Sequence, residues 1–458
     1  MSFEQIRISD RVAAELLSFV SRIEPKAIPQ SLLPRKGRSA EEMENAVGTL
    51  CAYAFLTRRE ENDMFDMHSL VHVATRVWIQ RCGDSQNAAM TALAHFNEVL
   101  MPGHPEYGES WRIYLPHAIR LLQEMKEYQA EDKYYLLDHV GNCLGVDGRF
   151  KDAIKCFEEI CTWKRENFAE EDESRLTAEY MLASAYTHDG RTKESIDILE
   201  RLVAVTSTRP EEDNYRLIVE RTLGTTYLLS RRPEDAIKIL ERVVAVRQTT
   251  MAETDHNRLV SERELACVYL NVRRTKDAIK TLEHLVATQK TFPKDDQHRL
   301  MSEMLLATAY GQDGRVKDGI KLYEHVVAVR KTLLPETDFD RLMWEYNLAC
   351  AYLDDGRTQD AIKLLEHLVA MGKITLEETD FRRLSWEQEL ADTYLKNGQI
   401  KDAIEIWENM KPADDGIRFM ISLRLLIAHR RLEASLEANG SVQSCDEGKQ
   451  AAFGFGVQ

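Results

Sequence analysis

His68 and His72 stand four residues apart in H-S-L-V-H, the spacing that lets two imidazoles on one helix face grip a metal ion. The glutamate of H-E-x-x-H is missing and no third ligand is evident, so no metal is expected there. Carboxylates recur more regularly. Arg175/Glu179, Arg216/Glu220, Arg258/Glu262, Arg299/Glu303, Arg341/Glu345 and Arg383/Glu387 all sit at i,i+4, and Glu200, Glu241, Glu283, Glu324, Glu366 and Glu408 recur further along each unit. A charge repeated in every unit is a framework feature, predicted to form ladders between adjacent helices; exposed pairs of this kind contribute only about 0.3–0.5 kcal/mol each. Nothing in their spacing converges on a catalytic pocket, and no catalytic residue is assigned.

Eight cysteines lie at 51, 82, 143, 156, 161, 267, 350 and 445 with no C-x-x-C pair, which argues against a zinc ribbon or a thioredoxin-like redox site. Free thiols in a reducing compartment are expected. No G-x-x-x-x-G-K-[ST] occurs, so no backbone cradle for phosphates is encoded; Lys36-Gly37 and Gly448-Lys449 lack the flanking glycine or hydroxyl. No cofactor is expected. The chain has 458 residues, 44% of them hydrophobic, and a formal net charge of −16, which argues against nucleic acid as the main partner. No apolar run reaches the ~18 residues of a membrane span, and MSFEQIRISD does not read as a secretory signal. A cytoplasmic location follows as the expectation.

These residues must be positioned by a repeat. The same pattern opens at Arg175, Arg216, Arg258, Arg299, Arg341 and Arg383, and a fainter copy ends in Gly148-Arg149-Phe150-Lys151-Asp152-Ala153-Ile154. A fixed period of 41 or 42 residues signals a solenoid, whose units bury their apolar faces only against neighbours. Each unit reads as two helices. Leu348, Ala349 and Tyr352 form one stripe, Asp355-Gly356-Arg357 a turn, and Ala361, Ile362, Leu365 and Leu368 a second stripe. Small residues recur at Ala183, Gly224, Ala266, Ala307, Ala349 and Ala391, and rings at Tyr186, Tyr227, Tyr269, Tyr310, Tyr352 and Tyr394; both sets are expected in the core.

This pattern resembles the tetratricopeptide repeat over about 275 residues, with a period longer than the usual ~34 and similar to the kinesin-light-chain-like class. The resemblance implies an all-α, right-handed superhelix.

Ahead of the repeats, residues 8–22 predict a helix capped by Ser9 or Asp10, and 39–50 a second with Ser39 and Glu42 as a capping box. The prolines of 23–34 predict a turn between them. Residues 52–58 and 64–67 predict a hairpin of short strands, and 68–80 a further helix. Helix, helix, hairpin, helix is the layout of a small winged-helix domain over 1–83. Met64 to Val71, running on to Trp78, is similar to the end of the nucleotide-binding module of fungal NLR-like signal-transduction ATPases. That family's signature is Met-His-Asp, whose His contacts a bound diphosphate. Met67 and His68 match, and Ser69 stands where Asp is usual. The resemblance thus implies a vestigial or split nucleotide contact for His68, or a nucleotide-binding module in trans; without it, His68 is a helix-start residue needing no ligand. With no P-loop, the chain is expected to begin downstream of the ATPase core.

Residues 84–133, with Leu115-Pro116-His117-Ala118, predict a divergent helical repeat that docks the first domain to the array. Seven repeats are expected over 134–410, a capping helix over 411–438 and a disordered tail over 439–458. Positions two before and two after the framework leucine of each first helix change chemistry from unit to unit: Tyr180 and Ser184, Arg221 and Thr225, Arg263 and Cys267, Met304 and Thr308, Tyr346 and Cys350, then Gln388. In the tetratricopeptide fold these line the concave groove, where a peptide or helix, with an acidic or phosphorylated segment to meet Arg221 and Arg263, is the expected ligand. The reading is a non-enzymatic interaction protein, the ligand-sensing part of an NLR-like ATPase. The alternatives are a kinesin-light-chain-like cargo adaptor, although residues 1–83 hold no heptad coiled coil, and a winged-helix DNA-binding regulator.

Overall fold

A computed structural model describes the backbone at 2–59, 63–100, 111–412 and 414–452, with side chains from Phe3 to Ala434. The chain divides into two compact units, 1–232 and 233–458. The expected break at 101–105 and the tip of the expected hairpin at 60–62 lie outside the described residues.

The first unit opens with α1 (Ser2–Ser9) and α2 (Arg11–Val20). Asp10 caps α2 by accepting from the Ala13 amide at 2.9 Å. The separate α1 was not expected; Phe3 on it stacks on Trp78 and meets Phe55 edge-on. In α3 (Ala40–Ala52) Ser39 and Glu42 form the expected capping box. The hairpin forms between β2 (Thr57–Arg58) and β3 (Met64–Asp66), and β1 (Ile28–Pro29) adds a third strand in the order β1-β3-β2. A strand thus stands inside the stretch whose prolines predict only a turn. An edge strand tolerates Pro29 because its outward side needs no N–H. Next come α4 (Ser69–Arg81), α5 (Ser85–Val99) and α6 (Trp111–Glu124). His95 lies 2.8 Å from the Leu32 carbonyl, Tyr114 donates to Ser31 at 2.9 Å, and buried His117 places its two ring nitrogens 3.1 and 3.2 Å from the Glu24 and Ala27 carbonyls. Burial holds His117 toward its neutral form, in which one nitrogen donates. These bonds dock α5 and α6 onto residues 24–32.

The repeats then alternate α7 (Glu131–Val146), α8 (Phe150–Asn167), α9 (Glu173–His188), α10 (Thr192–Thr206) and α11 (Asn214–Leu229). The second unit continues with α12 (Pro233–Thr250), α13 (His256–Asn271), α14 (Thr275–Thr288), α15 (Gln297–Gln312), α16 (Val316–Leu333), α17 (Phe339–Asp354), α18 (Thr358–Thr375), α19 (Phe381–Lys396) and α20 (Ile400–Asn409). The last helix, α21 (Asp415–Ala452), runs well past residue 438, so the expected tail is helical through Ala452. No proline follows Pro412, and Arg, Leu, Glu and Ala dominate 430–438, so nothing local ends the helix there.

Six repeats share one device. Asp172, Asp213, Asp255, Asp296, Asp338 and Asp380 cap the first helix of their units. Three residues on, each arginine donates from Nε to the glutamate four further on, at 2.9–3.4 Å. Its Nη1 reaches back to a carbonyl of the preceding loop, as Arg341 does to Leu334 at 3.0 Å. These pairs are not the exposed ladders expected: Arg216, Arg258, Arg341, Glu179, Glu220, Glu262 and Glu345 are buried. The loop folds over the arginine and withdraws it from water, so breaking a pair costs far more than a surface bridge would.

A second device crosses between helices. The hydroxyls of Tyr186, Tyr227, Tyr269, Tyr310, Tyr352 and Tyr394 donate at 2.6–2.8 Å to Glu158, Glu200, Glu241, Glu283, Glu324 and Glu366. Arg357 lies 4.1 Å over the Tyr352 ring and also pairs with Glu324 at 3.0 Å. Five of the rings are core residues, as expected, while Tyr394 in the last of these units is only half-buried; each has a polar tip the spacing did not show.

Candidate partner-binding site

The first helix of each repeat must turn one stripe toward its own second helix and another toward the first helix of the next repeat. Tyr180, Ser184, Arg221 and Thr225 in the first unit, and Arg263, Cys267, Met304, Thr308, Tyr346, Cys350 and Gln388 in the second, are all half-buried on their first helices, and Tyr180, Arg263, Met304 and Tyr346 bond across that second stripe. In the first unit Tyr180 lies 3.2 Å from the Thr222 hydroxyl and meets the Tyr215 ring edge-on. In the second unit such contacts continue across five helices. Arg263 Nη1 is 3.3 Å from His298 Nδ1, Met304 Sδ accepts from Asn347 at 3.9 Å, Tyr346 is hydrogen-bonded to Ser385, and Asp392 pairs with Arg424 of α21 at 2.9 Å.

Burial, then Arg263 and His256, hold His298 toward its neutral form, so its Nδ1 accepts from the guanidinium. Burial pushes the thiols of Cys267 and Cys350 up to about 11, so both stay protonated and neither is an activated nucleophile. Burial likewise lifts Tyr346 to about 12, keeping it a hydroxyl donor. Thr308 lies 2.7 Å from the Tyr323 hydroxyl. In the second unit these positions therefore offer neutral donors, the Arg263 guanidinium, the Met304 thioether and the Tyr346 phenol.

His256, His298, Asn347 and Ser385 belong to this stripe and were missed, because two positions per helix do not cover it. His256 and His298 meet at 4.6 Å, edge to face. Their signal was the polar residue near each helix start, which spacing alone assigns to solvent.

His68 is exposed and caps α4, its Nδ1 accepting from the Leu70 amide at 3.2 Å. His72 is buried, so the pair does not share an open face. Capping thus engages one nitrogen of the exposed His68 ring and leaves its Nε2 outside that bond. Among the described residues no group of three His, Cys, Asp or Glu is placed to hold a metal ion, and no helix is long and apolar enough to cross a membrane.

Comparison with known families places tetratricopeptide repeat models on residues 180–213 and 346–381, and a PPR repeat model on 390–411. The repeats are of the tetratricopeptide type. A nucleotide-binding leucine-rich repeat (NLR)-like protein from Hyaloscypha variabilis is 32% identical over 155 residues, 33% of this chain. The match spans only 16% of that relative's length. Among solved structures, the putative kinesin light chain nearly identical TPR-like repeats of Podosopora anserina are 32% identical over 44% of this chain and 98% of that one, with a TM-score of 0.40. The signal transduction ATPase with numerous domains PH0952 of Pyrococcus horikoshii, which has a tetratricopeptide repeat sensor, is 14% identical over 95% of this chain and 66% of that one, with a TM-score of 0.47.

Proposed function

We propose that this chain is a non-enzymatic protein-interaction scaffold that captures a peptide or helix along the first-helix stripe, as the ligand-sensing part of an NLR-like signalling ATPase. One observation carries the first half. The framework residues repeat and bond to each other in every unit, while the half-buried stripe changes from Arg263 through Met304 and Tyr346 to Gln388. Chemistry that varies over a fixed frame is what reading a sequence of side chains requires. The NLR-like relative supports the second half. Residues 1–83, with their helices and three-stranded sheet, are read here as a winged-helix domain, and His68 as the point where a nucleotide-binding module would meet the chain in trans.

Arg263 and its equivalent Arg221 favour a ligand segment bearing carboxylates or phosphate, and Met304 with Tyr346 an apolar anchor. The test is a pull-down with Arg221→Glu and Arg263→Glu combined, beside the wild type. Loss of partners with a preserved melting curve supports the groove; an unchanged partner set moves the site elsewhere.

A further inference from the structure

Within the first unit three guanidiniums converge on one carboxylate. Arg76 Nη1 of α4 lies 2.9 Å from Glu124 Oε1, Arg120 Nε of α6 lies 3.4 Å from the same atom, and Arg22 Nη1, just beyond α2, lies 3.8 Å from Oε2. Arg22 and Glu124 are 8% and 11% exposed, Arg76 and Arg120 33% and 37%. Arg22 also donates to Ser85 at 2.9 Å. Yet neither Glu124 oxygen completes a hydrogen bond, and the buried Nε of Arg22 has no partner.

The charge is unbalanced: three arginines against one glutamate leave two positive charges. His72 beside them adds no further positive charge, because burial, then Arg76 and Arg120, hold it toward its neutral form. Burial pushes the Glu124 carboxyl up, against the pull of Arg76, Arg120 and Arg22. Among the described residues Glu124 is the one carboxylate acting on Arg22. Arg22, the withdrawn arginine, therefore shares its counter-ion with two arginines that reach solvent, and a withdrawn charge without full compensation is costly.

Arg22, Arg76 and Glu124 face a cavity of about 340 Å³, lined also by Ser85, Gln80 and Tyr128 with an apolar wall at Val73, Val77, Ala89 and Met125, and Arg120 stands behind Glu124. That volume is in the range of small-ligand sites. We infer that this cavity binds a small phosphate dianion, inorganic phosphate or a compact phosphomonoester, whose charge of about −2 is drawn by the excess of arginine over carboxylate. The guanidinium forks of Arg22 and Arg76 suit phosphate oxygens, Ser85, Gln80 and Tyr128 can donate further, and the apolar wall accommodates a short organic group. The bound anion would tie the end of α2 to α4 and α6.

The experiment titrates the full chain with inorganic phosphate at constant ionic strength, chloride replacing it, and follows the unfolding midpoint and the phosphorus resonance of phosphate. A saturable rise in midpoint with saturable broadening of the resonance is expected. Arg76→Gln with Arg120→Gln should lower affinity at least tenfold, and Glu124→Gln should raise it about tenfold by removing a like charge. Phosphate also stabilises proteins by exclusion from their surface, but without saturation. A linear rise equal in wild type and double variant, with no broadening on the wild type, would overturn the site. The broadening needs no variant, so a double variant that fails to fold still leaves the wild-type titration to decide.

Discussion

Glu345 is buried and receives Arg341 at 3.1 Å, with Lys331 at 3.6 Å and His367 at 3.4 Å nearby. Removing it strands a buried guanidinium. Glu345→Ala should therefore lose about 3–5 kcal/mol in denaturant unfolding, far above an exposed pair; a loss under about 1 kcal/mol would contradict the burial. The tyrosines set an alkaline limit. Burial first, then the bond to Glu324, lifts Tyr352 to about 12, and Tyr186 and Tyr269 likewise reach about 12. A free tyrosine titrates near ~10. Folded pKa values above unfolded ones mean this stability is complete below pH ~10 and is lost as pH rises through about 12. Unfolding midpoints measured from neutral pH upward should fall across that window, and Tyr352→Phe should fall less steeply than wild type.

Between the helices of a repeat, the turn needs one residue in left-handed backbone. Gly356 supplies it at φ 77°, but the equivalent residues in two repeats are Arg231 at φ 61° and Arg273 at φ 60°. Left-handed backbone costs an L-residue roughly 1–2 kcal/mol, part of which the entropy of a glycine gives back. Arg273→Gly should raise stability by up to about 1 kcal/mol, and a lowered melting point would argue against strain at this turn. Between repeats, the crossing is fitted by size. Buried Arg247 bonds Ser261, Arg330 lies 4.7 Å over Trp344, and at Gly372 an added Cβ would stand 3.2 Å from the Trp386 ring. Gly372→Arg alone should overpack by about 1–3 kcal/mol and Trp386→Ser alone should lose about 3–5 kcal/mol to a cavity. Together they rebuild the Arg247–Ser261 arrangement, so their combined loss should be smaller than the sum. Strict additivity in melting experiments would show that the two positions are not coupled.

For the whole molecule, charge bears on the DNA-binding alternative. Residues 1–83 carry 11 Lys and Arg against 11 Asp and Glu, in a chain of net charge −16. The full chain should show no micromolar affinity for duplex DNA; binding with a steep salt slope would contradict this, because the slope counts neutralised phosphates. The sequence by itself determined the repeat, its two helices, the glycine turns and the ring stripe, because each repeat meets only its neighbours and local periodicity encodes that packing. It also determined the cap at Ser39 and narrowed the cap of α2 to Ser9 or Asp10, since caps act within three residues; the structure selects Asp10. What it could not determine lay across long separations. Pro29 in a strand depends on Met64, His117 on the carbonyls of residues 24 and 27, and Gly372 on a tryptophan 14 positions later. The i,i+4 spacing of Arg341 and Glu345 was legible, but the loop that buries them was not, and burial decides whether a pair is worth tenths of a kcal/mol or several. The stripe from Arg263 to Gln388 was legible as variation over a frame. Its links through His298, Asn347 and Ser385 were not, because a residue's lateral neighbour in a stacked array stands about one period away, at a distance no local pattern records.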